Sequence, residues 1–204
     1  MSKVMSKTYS KFIVPMVLFF ALHAEFVKAA WVKNGMLGGY VHDTNMAQYI
    51  PPVSCHFVVG TWTQAAGSVA GTIAMHKAAA AETNVITIPI TIPSNAITNK
   101  GAYLKSIEVD YEVLVADLTS STPVVNLVTR GADGAVAVVA AQTFTQTPAL
   151  ATAKTVGKHK LVITITTPFW VTNLQYVLVQ LTNVAPATTT FDLLGIVANF
   201  TERM

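Results

Sequence analysis

The chain has 204 residues, 52% of them hydrophobic and only 11% charged, against a charged share of about 25% in ordinary soluble domains. That balance excludes intrinsic disorder, and a chain of this length buries enough core to be stable without a disulfide or a metal. The net charge of +3 is carried by residues 1–45, where Lys3, Lys7, Lys11, Lys28 and Lys33 stand against Glu25 and Asp43; from Met46 onward eight basic residues balance eight acidic ones. A basic footprint for nucleic acid is therefore absent, and the single cysteine, Cys55, allows neither an intrachain disulfide nor a Cys/His zinc spacing.

Lys3, Lys7 and Lys11 lead into the apolar run Phe12 to Leu22, after which the polar stretch His23 to Lys28 ends in Ala29 and Ala30. This is the order of a secretory signal, with Val27 and Ala29 placed as the small residues before the cut. The run is shorter than the roughly 20 residues of a membrane span, so no stable span is expected. Two other readings stand beside the signal. One is a retained arm that packs Phe12, Met16, Phe19 and Phe26 on a neighbour, and the other is a segment upstream of a true start at Met46. Gly35, Gly38 and Gly39 read as a linker, which gives a signal-like segment or arm at 1–45 and one domain at 46–204.

From Met46 the chain is crowded with Val, Ile, Thr and aromatics, the residues of a pleated, half-buried surface. His56 to Trp62 reads as a first strand. Val85 to Ile92 puts Ile86, Ile88, Ile90 and Ile92 on one face, and Pro89, which cannot donate to a ladder, places this strand at an edge or a bulge. Tyr103 to Ala116 alternates most clearly, with Ile107, Val109, Tyr111, Val113 and Val115 opposite Glu108, Asp110 and Glu112. Strands follow at Val124 to Arg130, Ala135 to Thr145, Lys160 to Thr167, Gln175 to Asn183 and Thr190 to Phe200. The Asp133-Gly134 pair marks a hairpin turn, and Pro148, Pro168 and Pro186 punctuate other joints. Ala65 to Ala81 is ambiguous: Gly67 and Gly71 favour a loop or a short strand, and Ala78 to Ala81 favours one helical turn. About eight strands with short polar turns predict an all-β, antiparallel sandwich, with a jelly roll as one possible strand order.

Chemistry is sparse along this body. Glu108, Asp110 and Glu112 form the one acidic cluster, spaced about 6.5 to 7 Å apart on one strand face. It reads as a solvated face, as a partner row for Lys158 and Lys160, or as a cation site. His23, His42, His56, His76 and His159 show no metal-ligand spacing. Cys55 and His56 are neighbours whose side chains point to opposite faces of a strand, so they make no nucleophile and base. Gly67-Ser68-Val69-Ala70-Gly71 lacks the spacing of a nucleophile elbow, and no phosphate loop or dinucleotide fingerprint occurs. Asn199-Phe200-Thr201 satisfies the glycosylation pattern, and Trp62, Phe169, Trp170 and Tyr176 are either sugar-stacking residues or core lids. The expectation is a protein with no catalytic residues, no cofactor and no metal.

A neutral Thr-rich and Ala-rich surface with few Lys or Glu is readily desolvated, which is the composition of interfaces. Net charge near zero favours association, so a homo-oligomer is expected. The order Gly101-Ala102-Tyr103-Leu104-Lys105-Ser106-Ile107-Glu108-Val109-Asp110-Tyr111, then Thr167-Pro168-Phe169-Trp170-Val171 and Tyr176-Val177-Leu178-Val179-Gln180-Leu181, resembles small β-sandwich structural proteins of tailed-phage particles. The resemblance spans about residues 56–201. It implies a non-enzymatic head-decoration or virion-surface protein, in trimers, bound to a capsid lattice. The signal-like segment departs from that picture and supports an alternative, a secreted cell-surface or matrix protein that is cleaved near Ala29 and self-associates or adheres. A lectin-like or enzymatic role would need a concave pocket with convergent polar groups.

Overall fold

Alternation of the kind at Ile107 to Val113 makes one strand face apolar, and two such faces are stable only when they close on each other. The computed structural model describes residues 43–67, 72–91, 102–130, 133–172 and 175–203, and there they close as two antiparallel sheets. In chain order the strands are β1 (Asp43–Ile50), β2 (His56–Phe57), β3 (Trp62–Ala66), β4 (Ile73–Lys77), β5 (Glu82–Ile90), β6 (Ala102–Leu114), β7 (Ser120–Arg130), β8 (Val136–Ala141), β9 (Phe144–Thr147), β10 (Gly157–Val171), β11 (Gln175–Ala185) and β12 (Thr190–Arg203). One short helix, α1 (Leu150–Ala153), joins β9 to β10.

Sheet A has seven strands in the order β3-β4-β12-β6-β10-β9, with β1 also on β12; sheet B has five, in the order β2-β5-β11-β7-β8. β12 pairs with β6 from Thr190 to Glu202, and its other side is shared end to end by β4, at Phe191 to Leu193, and β1, at Ile196 to Arg203. The chain changes sheet between β2 and β3 on one flank and between β8 and β9 on the other. These two crossings link the sheets at opposite lateral edges, as corner strands do.

The core is one cluster. Ile86, Ile88 and Ile90 of β5 and Val177, Val179 and Leu181 of β11 share it with Ile107 and Val109 of β6, Leu161 and Ile163 of β10, and Phe191, Ile196 and Phe200 of β12. At its β3 end aromatic rings run from sheet to sheet: Phe57 lies 4.3 Å from Trp62, Trp62 stands edge-on to Phe191 at 6.2 Å, and Phe191 stacks on Tyr111 at 5.0 Å. Tyr111 then donates its hydroxyl to the Ala153 carbonyl, which fixes α1 over the end of the sandwich. Pro89 behaves as its missing N–H requires. β2 covers β5 only at Ile86 and Thr87, so among the described residues Pro89 has a ladder partner, Leu178, on one side alone.

The structure corrects four expectations. His56 to Trp62 and Ala135 to Thr145 are each two strands, because each carries the chain from one sheet to the other; with β1 and β3–β4 added, the described residues hold twelve strands where about eight were expected. Val115 is not on the core face: β6 ends at Leu114, and Val115 is 73% exposed with φ at +73°. Ala116 N–H donates to Leu114 O at 2.9 Å, so Val115 is the centre of a γ-turn of the left-handed, strained kind. Ala78 to Ala81 forms no helical turn, since Ala78 N–H is drawn to Thr61 O at 3.1 Å and β5 begins at Glu82. Finally, β1 begins at Asp43, ahead of the expected domain start at Met46.

The signal-like segment up to His42, Ser68 to Gly71, Ile92 to Gly101, Gly131, Ala132, Asn173, Leu174 and Met204 lie outside the described residues. The Asp-Gly turn itself is described. Gly134 has φ at +83°, Asp133 Oδ1 accepts from Ala135 N–H at 3.0 Å, and Arg130 pairs with Val136 to open the β7–β8 hairpin.

Candidate interaction surface

The acidic row of β6 lies on the outer face of sheet A, between β12 and β10. Register sets Lys160 opposite Asp110 and Lys158 opposite Glu112. Lys160 Nζ donates diagonally to Glu108 Oε2 at 2.9 Å, and Asn199 Nδ2 of β12 donates to Glu108 Oε1 at 3.0 Å and to Ser106 Oγ at 3.2 Å. The hydrogen bond from Lys160 holds the Glu108 carboxyl below the usual range despite some desolvation, and the same contact raises Lys160. Asp110 is pushed up, first by burial and then by the charge of Glu108, with Lys160 opposing. Within the row Glu108 is thus engaged by Lys160 and Asn199. Among the described residues no group of three or more His, Cys, Asp or Glu is placed to hold a metal ion, and Glu108, Asp110 and Glu112 make no exception.

The fold creates one pair that the sequence conceals. His76 of β4 sits opposite Asp192 of β12, Nδ1 to Oδ1 at 2.5 Å, 116 positions apart in the chain. The pair is half-buried on the outer side of sheet A, at 32% and 18% exposure, and lines neither groove described below. His159 is held by the Thr155 carbonyl at 2.6 Å and by the Tyr111 ring at 5.4 Å, and His56 is exposed beside the buried Cys55. Burial pushes the Cys55 thiol up to about 12, the state of an inert sulfur.

The remaining sequence candidates are absorbed by structure. Asn199 of the glycosylation pattern is mid-strand with its amide donated twice, and Thr201 donates its hydroxyl to Asn45 Oδ1 at 3.0 Å. Trp62 is part of the aromatic series, Phe169 packs on the core, Trp170 meets Tyr103 edge-on at 4.6 Å, and Tyr176 is half-buried on β11. Two grooves are shallow. One, of about 380 Å³, lies over Asn45, Lys105 and Asn199; the other, of about 260 Å³, lies between Ser121 and Lys154. Neither collects a nucleophile, a base and an oxyanion donor.

What distinguishes the two sheets is where the charge goes. Lys105, Glu108, Asp110, Glu112, Lys158, Lys160, His76 and Asp192 all belong to sheet A. The outward positions of sheet B are Thr83, Val85, Thr87 and Pro89 on β5, Tyr176, Leu178, Gln180, Thr182 and Val184 on β11, and Thr122, Val124 and Asn126 on β7. None of these is charged; the charged residue of β7, Arg130, stands at its hairpin end, opposite Val136 of β8. This face ends at β8, Val136-Ala137-Val138-Val139-Ala140-Ala141, where Val136, Val138 and Val139 are 59%, 61% and 55% exposed.

Three other strands with an open side among the described residues, β2, β9 and β1, are blunted. β2 has two residues, and β9 has four. One register row of sheet A runs Gln48, Ala198, Ile107, Ile163, Gln146, so that β1 and β9 each turn a glutamine onto the core side of the sheet. Gln48 Oε1 and Gln146 Nε2 are buried there without a hydrogen-bond partner among the described residues. Inward polar groups and short length are the devices that keep a sheet edge from pairing; β8 has neither. No protein-family model and no curated protein matches this sequence. The functional argument therefore rests on the surface.

Proposed function

We propose that this protein is a non-enzymatic structural component that assembles through neutral β-sandwich surfaces, as a capsid-decoration or other virion-surface protein of a phage particle. The observation that carries the reading is the row of uncharged outward residues on β5 and β11 of sheet B, with the exposed Val/Ala strand β8 at the edge of the same sheet. A face without charge is desolvated at low cost, and an unblunted edge offers backbone N–H and C=O groups to another chain. The charged outer face of sheet A supplies the solvated side that a surface component turns to water. Trimers are the arrangement that the phage resemblance implies, with the capsid lattice as the partner.

The signal-like order of Lys3 to Ala30 favours a second reading, a secreted, self-associating cell-surface or matrix protein cleaved near Ala29. The intact mass of the natural protein, taken together with its size in solution, separates the two. A chain starting near Met1 or Met46 and recovered in a megadalton particle supports the virion component. A chain starting at Ala30 or Trp31 overturns it in favour of the exported protein. A monomer in dilute buffer removes the assembly reading in both forms.

A further inference from the structure

We infer that β8 is a self-complementary docking edge whose occupant is β8 of a second copy, the two strands running antiparallel about a two-fold axis so that two sheets B become one continuous sheet. The inference rests on the assembly reading above and names its contact. β8 is hydrogen-bonded to β7 on one side, and its other side ends the order of sheet B. From Ala135 to Gln142 the chain carries no charged residue.

Charge selects the occupant. A two-fold, antiparallel pairing is isologous, so each residue meets its mirror position in the same sequence. With the axis between Val138 and Val139, Val138 faces the second copy's Val139, Ala137 faces Ala140, and Val136 faces Ala141, which is a neutral β-branched or small residue at every position. Asp133, the acidic residue before the strand, then lies opposite Phe144, away from its own counterpart, so pairing places no like charges together. An extended peptide rich in Lys or Glu would find no opposite charge on this edge. The contact also continues sheet B itself, because Asn126 and Val128 of β7 pair with Ala141 and Val138 of the edge strand. A two-fold contact of this kind joins copies in pairs and equally joins one trimer to the next.

The test uses the full chain, with sedimentation measured for wild type, Val138→Lys and Val58→Lys, the last altering an equally exposed valine beside β2 on the opposite flank. The inference expects Val138→Lys to weaken self-association by about tenfold or more, since the two-fold presents each new ammonium twice in one interface, and Val58→Lys to leave it unchanged. Backbone hydrogen exchange of wild type gives a second measurement that needs no variant: amides of Val136 to Ala141 slow on association. Association that is indifferent to Val138→Lys, with β8 amides exchanging equally fast at low and high concentration, overturns the β8 contact and leaves the assembly reading standing. Wild type that stays monomeric at micromolar concentration in dilute buffer overturns both.

Discussion

Lys77 Nζ of β4 lies 3.0 Å from Glu82 Oε1 of β5, an ion pair that joins sheet A to sheet B with its cation fully buried. The aligned N–H of that ammonium goes to the Ala78 carbonyl at 3.0 Å, so the contact with Glu82 is one of charge. Gly60, at φ +98°, lets the β2–β3 crossing pass close by: a Cβ there would stand 2.5 Å from Glu82 Oε1. Removing one member of a buried pair strands the other charge, at about 3–5 kcal/mol. Glu82 is partly exposed, so Glu82→Gln should fall at the low end, a loss of roughly 6–12 °C in Tm at about 2–4 °C per kcal/mol. The double variant Lys77→Met with Glu82→Gln should recover most of that loss. A calorimetric cycle checks it, and a double variant no better than the single would show that the ammonium was not left stranded.

Val115 gives a prediction of opposite sign. A β-branched residue in the left-handed γ-turn is strained by about 1–3 kcal/mol, and neighbours over-determine it: Asp117 Oδ1 accepts from Val156 N–H at 2.7 Å, Leu118 N–H donates to Lys154 O at 2.9 Å, and Thr189 Oγ1 donates to Ala116 O at 2.9 Å. Val115→Gly relieves the strain and adds freedom to the unfolded chain, for a net gain of about 0.5–1 kcal/mol. Val115→Pro, which imposes a negative φ, should lower the melting temperature. Thermal unfolding of the pair reads both signs.

The outer face of sheet A predicts two pH dependences of opposite slope. The folded pKa of Glu108 lies below its ordinary value of 4.5, so its contribution is fully present above that value and is lost as the pH falls through the folded one. Glu108→Gln should therefore cost about 0.2–1 kcal/mol near neutral pH and nothing in strong acid. The folded pKa of Asp110 lies above its ordinary 3.8, so ionisation withdraws stability as the pH rises through the raised value. Asp110→Asn should leave melting unchanged in strong acid and raise it slightly near neutrality. Calcium should shift neither variant nor wild type. A calcium-dependent rise in Tm that Asp110→Asn abolishes would turn the row into a cation site.

Cys55 should behave as a packing residue. With the thiol raised to about 12 by burial, it carries almost no thiolate at neutral pH. A disulfide reagent should label it only after denaturation, and prompt labelling of the native protein would refute its burial.

How far the sequence could be read depended on what kind of neighbour each residue has. Ile107, Val109, Tyr111 and Val113 announce a strand because alternation is a local property, and Lys160 opposite Asp110 and Lys158 opposite Glu112 match one of the three readings the acidic row allowed, because both rows share the same period. The changes of sheet at Val58 to Thr61 and Gln142 to Thr143 were hidden, since a strand that crosses between sheets keeps its strand-like composition. β1 was missed because Asn45, Met46, Ala47 and Tyr49 are exposed and alternate weakly. The His76–Asp192 contact exists only through the pairing of β4 with β12. β8 is the instructive case: Ala135 to Thr145 reads as one strand, and only the strand order shows that Val136 to Ala141 is the last strand of sheet B among the described residues.

The pairing of β1 with β12 sets Asp43 directly across from Arg203. The sandwich is thus entered and left at a single point on the rim of one sheet, like a pendant on a short double cord. Such a unit can be spliced into the surface loop of a host protein with brief spacers at both joints. Both sheets would travel with it, since the strands at the two joints already hold each other.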